Sequence, residues 1–199
     1  MEFKEAIKQR YSCRNYNTKA LDKKVLDEIL EAGRLSPSSL GLETWKFVVI
    51  RDAQRKAEIS KIANNQAQVA QCAAIIVLLA RLDFVEYFEP KLRKRNMSEA
   101  EIQARLSYRS FLEKMNSQEK IAYAREQCFL ALGNLANCAA SLGVRSCIIG
   151  GVNNAKLDEY LKLETSKFKS VVLLTLGYSD EAIPPKVRFD FDEVVEYQD

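Results

Sequence analysis

Between residues 117 and 142, apolar and small side chains recur at helical spacing without a break: Ile121, Ala124, Cys128, Ala131, Leu132, Leu135, Cys138, Ala139 and Leu142. That periodicity predicts one long helix, and its ends carry start and stop signals. Asn116 and Glu119 have the spacing of a capping box, although Ser or Thr is the commoner first residue, and Gly143 suits the position just past the last turn. Ala, Cys and Gly133 along the stripe let another backbone approach closely, so the helix is expected to lie at the centre of the fold. It is too polar to cross a bilayer. The longest uninterrupted apolar run, Cys72 to Ala80, falls far short of the roughly 20 residues a span requires.

Around this helix the sequence predicts strands at 45–50 (WKFVVI), 74–80 (AIIVLLA), 145–149 (RSCII) and 169–177 (KSVVLLTLG). The second is apolar throughout, which predicts burial on both faces. Shorter helices are expected at 2–9, from an Asp22 cap to about Gly33, at 53–63 after Asp52, and at about 154–161, with helical pieces over 83–116. After Pro184-Pro185, VRFDFDEVVEY alternates apolar and acidic residues, the pattern of a terminal strand or arm with one buried face. The fold class is α+β, with a central mixed or antiparallel sheet surrounded by helices. The 199 residues are expected to form one domain, with an excursion at about 83–116. A doubly wound fold is disfavoured, because no GxGxxG or GxxxxGK[ST] occurs.

Composition narrows the chemistry. The chain contains no histidine, which excludes Ser-His-Asp and Cys-His nucleophiles and His-ligated zinc. Five cysteines, without a CxxC, argue for reduced core thiols. A net charge of +3 is too small for a general nucleic-acid binder, and the N-terminus lacks the apolar region of a signal peptide, so a cytoplasmic protein with no nucleic-acid or membrane partner is expected.

Four segments hold candidate ligand-binding groups. In RYSCR, Arg10, Ser12 and Arg14 share one side if the backbone is extended, and two guanidinium forks with a hydroxyl between them suit a phosphate. Their i,i+4 spacing equally fits two exposed arginines at a helix end. Lys186 and Arg188 repeat the i,i+2 arrangement, or protect a sheet edge. Ser36-Pro37-Ser38-Ser39 offers hydroxyls in a turn, and Ile149-Gly150-Gly151 ends a strand where a flat ligand can lie against bare backbone.

Taken in order, these segments resemble the FMN-dependent nitroreductase family. RYSCR is similar to its Arg-(His/Tyr)-Ser-x-(Arg/Lys) segment, SPSSLGLETWKFVVI to its SPSS-x-N-x-Q-P-W-x-F loop and strand, CIIGG to the strand end beside the isoalloxazine, and Lys186-Val187-Arg188 to its C-terminal basic pair. The IIGG variant is similar to the branch containing the metronidazole-activating nitroreductase of epsilonproteobacteria. The resemblance implies FMN held at its phosphate and ribityl chain by Arg10, Ser12, Arg14, Lys186 and Arg188, with Tyr11 in the same segment. It further implies polar contacts from Asn65 and Gln68, and ring contacts from Ile149, Gly150 and Gly151. Pro37, Ser38, Ser39 and Gly41 would approach from the partner subunit, because the family forms intertwined homodimers with exchanged C-terminal arms. The implied activity is transfer of reducing equivalents from NAD(P)H through FMN to a nitroaromatic, quinone or similar acceptor by a ping-pong mechanism. No side chain is assigned a catalytic role, no metal is implied, and the alternative is a noncatalytic flavin-binding or sequestering protein.

This chain departs from the family pattern at Gly41 (commonly Asn), Glu43 (Gln), Thr44 (Pro), Lys46 (often His) and Gln68 (often Lys). Loss of a cation at 68 predicts a lowered flavin reduction potential, where no other Lys or Arg takes its place. The excursion carries the aromatics Phe84, Tyr87, Phe88, Tyr108 and Phe111, and the basic run Lys91, Arg93, Lys94, Arg95, which reads as a solvated helix face or as a contact for a nucleotide phosphate or an acidic partner.

Overall fold

The computed structural model describes residues 1–198. The long helix forms as the caps predict. It is α8, Ser117–Ser141, with the Asn116 side chain accepting from the Glu119 amide while Glu119 reaches back to the Asn116 amide. Gly143 follows at φ 73°, a left-handed conformation that glycine adopts without strain.

Before α8 come α1 (Phe3–Gln9), α2 (Lys23–Arg34), a single 3-10 turn (Ser39–Gly41), β1 (Trp45–Ile50), α3 (Ala53–Ile62), α4 (Ala67–Gln71), β2 (Ala74–Arg81), α5 (Phe84–Arg93), α6 (Glu99–Leu106) and α7 (Arg109–Lys114). After it come β3 (Arg145–Ile149), α9 (Asn154–Tyr160), β4 (Phe168–Gly177) and α10 (Phe191–Val194). Asp22 and Asp52 cap α2 and α3 by accepting from the Lys24 and Arg55 amides.

The strands form one antiparallel sheet in the order β1-β2-β4-β3. β2 is central, and its side chains divide by parity. Ala74, Ile76, Leu78 and Ala80 join the core beneath α2, α5 and α8, whereas Ile75, Val77 and Leu79 join a second core with Ile59, Val69 and Leu157 of α3, α4 and α9. This two-sided burial is why β2 reads as an unbroken apolar run. One parallel contact exists, an isolated bridge between Ser12 and Ser146 that lays the 10–14 segment along the free edge of β3.

The 64–71 segment, to which the sequence assigns no element, holds α4, too short to show a period. One expectation is corrected. The C-terminal alternation forms neither a strand nor a buried face within the protomer. Residues 178–190 run without regular structure, and an Asp190–Glu193 capping box starts the short α10 instead. A local cap decides here because no strand of the sheet pairs with this segment.

Among the described residues no helix is long and apolar enough to cross a membrane, and no group of acidic or cysteine side chains is placed to hold a metal. All five cysteines are free thiols. Burial pushes Cys72 up to about 11 and Cys128 up to about 12, so neither is a nucleophile at neutral pH.

Thr44, where the family pattern commonly has Pro, is fully buried, and its hydroxyl has no hydrogen-bond partner. Removing an orphaned buried hydroxyl while keeping its shape stabilises a fold by about 1 kcal/mol. Thr44→Val is therefore expected to raise the melting temperature by about 2–4 °C, read by thermal unfolding. An unchanged or lower value would show that the hydroxyl is satisfied in solution.

Candidate functional site

The site begins where α1 stops. The backbone turns extended at Arg10 (φ −63°, ψ 124°), so Arg10 and Arg14 do not share a helix, and the helix-end reading of their spacing fails. The Cys13 amide donates to the Ser146 carbonyl at 3.0 Å, which pins the segment to β3. Nearly the whole chain away, the segment after Pro184-Pro185 returns to it: Lys186 Nζ donates to the Arg10 carbonyl at 2.7 Å. Arg10, Tyr11, Ser12, Lys186 and Arg188 then line one cavity of about 160 Å³.

The electrostatics of this cavity are one-sided. Arg145 lies over the Tyr11 ring at 5.5 Å, adding another cation. None of Arg10, Arg14, Arg145, Lys186 or Arg188 forms an ion pair with a carboxylate among the described residues, whereas ten other pairs do form. Partial burial, then the Arg10 and Arg188 charges, hold the Lys186 ammonium below its usual range. The Tyr11 hydroxyl is buried without a partner, and burial raises its pKa. Uncompensated cations around a small cavity and an orphaned hydroxyl fit a multivalent oxyanion such as a phosphate monoester.

Beside this cradle, β3 ends at Gly150 and Gly151. A Cβ on Gly150 would meet nothing within 4 Å, so the backbone faces open space. Ile148 is exposed there and joins Phe129, Arg125 and Gly150 around a second cavity of about 240 Å³. Ile149, by contrast, points into the core. An apolar wall with bare backbone at its edge accepts a flat ring.

Asn65 is exposed and left-handed (φ 55°). Gln68 is buried, and its amide donates to Gln66 Oε1 at 2.9 Å. The side chains that reach the glycine pair are Asn64 and Gln66, which donate to the Gly151 carbonyl at 3.1 and 3.0 Å. Neither residue is marked by the sequence patterns above. Consecutive asparagines, which tolerate left-handed backbone, were the available signal.

Pro37, Ser38, Ser39 and Gly41 lie elsewhere. They precede β1, which lies three strand spacings or roughly 14 Å from β3 at the opposite edge of the sheet, and none of them lines the cradle's cavity. One protomer does not bring them to the cradle. Their turn is tightly held: the Ser39 amide donates to Gln127 Oε1 at 2.8 Å and the Glu43 amide to Ser38 Oγ at 2.9 Å.

The pattern of the nitroreductase family matches residues 7–178, which include Arg10, Arg14, the turn and the glycine pair and stop short of Lys186 and Arg188. The chain belongs to the nitroreductase family. Among its relatives, "Putative NAD(P)H nitroreductase YfkO" of Bacillus subtilis is 31% identical over 98% of this chain and 99% of its own. "Putative NAD(P)H nitroreductase SSP0379" of Staphylococcus saprophyticus is 30% identical over 97% and 95%. Of solved structures, the nitroreductase family protein from Streptococcus pneumoniae superposes with a TM-score of 0.88 at 28% identity, covering 99% of this chain and 100% of that one. The structure of "a putative nitroreductase in complex with FMN" from Exiguobacterium sibiricum has the same fold, with a TM-score of 0.88 at 24% identity over 100% and 98% of the two chains.

Proposed function

We propose that this protein is an FMN-dependent NAD(P)H oxidoreductase, acting as a homodimer on a nitroaromatic, quinone or similar acceptor by a ping-pong mechanism. The observation that carries this reading is the cation cradle. Arg10 and Lys186, 176 residues apart, meet around one cavity with no carboxylate to neutralise them. FMN, when bound, supplies the redox chemistry, accepting hydride from the nicotinamide and passing electrons to the acceptor.

The chain's own residues bind and orient. Arg10, Ser12, Arg14, Lys186 and Arg188 hold the phosphate and ribityl chain, with the Tyr11 hydroxyl as a further donor. Gly150 and Gly151 present backbone to the ring, braced from behind by Asn64 and Gln66, while Asn65 and Gln68 complete the polar side. Pro37, Ser38, Ser39 and Gly41 reach the flavin of the partner subunit, which is consistent with their place at the far edge of the sheet. The C-terminal arm, with exposed Val187, Phe189, Phe191, Val194 and Tyr197, crosses onto the partner. The chain acts as a single domain, in which α5, α6 and α7 form the excursion that covers the acceptor and keep water from the ring. Membership of the epsilonproteobacterial branch rests on the IIGG segment alone; the relatives above come from Bacillus and Staphylococcus.

An anaerobic titration tests the function. Purified protein is expected to be yellow and to bleach on addition of NADH or NADPH, with colour returning on addition of a quinone or nitroaromatic. Colourless protein that takes up no added FMN sinks the proposal. Yellow protein that neither nucleotide bleaches would mark a flavin-binding protein without reductase activity.

A further inference from the structure

The turn before β1 stores backbone strain. Leu40 (φ 54°) and Glu43 (φ 51°) are non-glycine residues in the left-handed region, on either side of Gly41 at φ 62°. Such residues persist only where surrounding groups over-determine them. Here α5 and the residues just after it supply the restraint. Tyr87 Oη donates to the Leu42 carbonyl at 3.0 Å, Lys91 pairs with Glu43 at 2.8 Å, and Arg95 Nη2 donates to the Gly41 carbonyl at 2.7 Å.

Arg95 explains the glycine as well. A Cβ at position 41 would collide with its guanidinium. The space that a side chain at position 41 would use is filled by an arginine fork brought from 54 residues along the chain. That fork is half-buried, and its one side-chain hydrogen bond goes to a neutral carbonyl. It has no carboxylate partner among the described residues, although Arg93, two positions earlier, pairs with both Glu89 and Glu99. A guanidinium carries five N–H donors, so most of the fork is available to a ligand. The cleft beside the turn is lined by Glu43, Lys91 and Lys94, and because Glu43, its only carboxylate, is taken by Lys91, Lys94 forms no ion pair among the described residues.

The geometry points to Arg95 as a specificity-determining residue that makes this side of the acceptor site select molecules bearing a carboxylate or similar anion. The inference rests on the proposed reading that the 37–41 turn faces the partner's flavin. A bidentate pair between the fork and a carboxylate supplies the discrimination, which a neutral amide of the same shape does not match.

The test is calorimetric titration of the oxidised, flavin-loaded protein with benzoate and with benzamide. Wild type is expected to bind benzoate about tenfold more tightly, the size of one charge-assisted hydrogen bond. Arg95→Gln retains a donor for the Gly41 carbonyl and drops the charge, and it is expected to bring the two affinities within about twofold of each other. Arg95→Lys, which keeps the charge without the fork, is expected to fall between them. Arg93→Gln, next to the site but paired with its own carboxylates, should behave as wild type. With 4-nitrobenzoate and 4-nitrobenzamide as acceptors, the loss in Arg95→Gln should fall on KM and leave kcat unchanged. Equal affinities in flavin-loaded wild type, or discrimination that survives in Arg95→Gln, overturn the assignment of Arg95 while leaving the proposed reductase intact. Wild type without flavin overturns that reading and this inference together.

Discussion

Replacing Arg10 and Lys186 together by methionine is expected to weaken FMN binding by about a thousandfold and to leave the fold standing. Each cation contributes a charge-assisted contact of about 1.5–3 kcal/mol, and each 1.4 kcal/mol is a factor of ten. The two losses should be less than additive, because Lys186 Nζ also donates to the Arg10 carbonyl and the pair shares one anion. Stability should not suffer, since both residues lie outside the two cores and the Lys186 ammonium is already held below its usual range by partial burial and then by the Arg10 and Arg188 charges. A bound dianion reverses that depression, so Lys186 is held more firmly charged in the complex. Affinity should decline as pH falls through about 6, where the phosphate monoester dianion takes up a proton and loses one of its two charges, and should decline with rising salt. Flavin fluorescence titration of the two proteins, at two ionic strengths, provides the measurement. A double variant within threefold of wild type would remove the cradle from the phosphate site.

This arrangement was legible in the residues only in part, and the division has a physical basis. Capping boxes, Asp caps and the period of α8 are local, so Asn116, Asp22 and Asp52 announce their helices from neighbouring residues alone. The alternating patterns Arg10-Ser12-Arg14 and Lys186-Arg188 are local too. Their meeting is not: it depends on a bridge from Ser12 to Ser146 and on the return of the chain after Pro184-Pro185. Asn64 and Gln66 escaped notice because their aim at the Gly151 carbonyl follows from left-handed backbone at 64 and 65, which no periodicity encodes. Gln68 reads as a polar ligand, and its link to Gln66, which in turn holds the Gly151 carbonyl, is a contact that no local pattern encodes. At Gly41 the sequence shows a missing side chain, and only the structure shows Arg95 in its space. The C-terminal segment differs in the opposite sense: its alternation suits a strand, and within the protomer no strand pairs with it.

Leu130→Glu is expected to convert the protein to monomers that hold FMN weakly and turn over no NAD(P)H. Leu130 and its neighbour Phe129 are 48% and 45% exposed near the middle of α8, the helix on which one core is built. At Gly133, less than a turn further on, a Cβ would meet nothing within 4 Å, which leaves room for an approaching backbone. Phe3 and Ile7 of α1 and the apolar residues of the arm are likewise exposed, more uncovered apolar surface than one protomer has reason to carry. In a two-fold dimer the same patch meets itself, so one substitution places two carboxylates in the interface. Burying them unpaired costs several kcal/mol. The functional loss follows from the sheet order. β1 and β3 lie at opposite edges of the sheet, and on the proposed reading the 37–41 turn serves the cradle of another copy of the chain, so a monomer would hold half of each site. Light scattering with parallel flavin absorbance separates the outcomes. A Leu130→Glu monomer that is yellow and bleaches with NAD(P)H at the wild-type rate would show that one protomer completes the site alone, and would require Pro37, Ser38, Ser39 and Gly41 to serve the fold rather than the flavin.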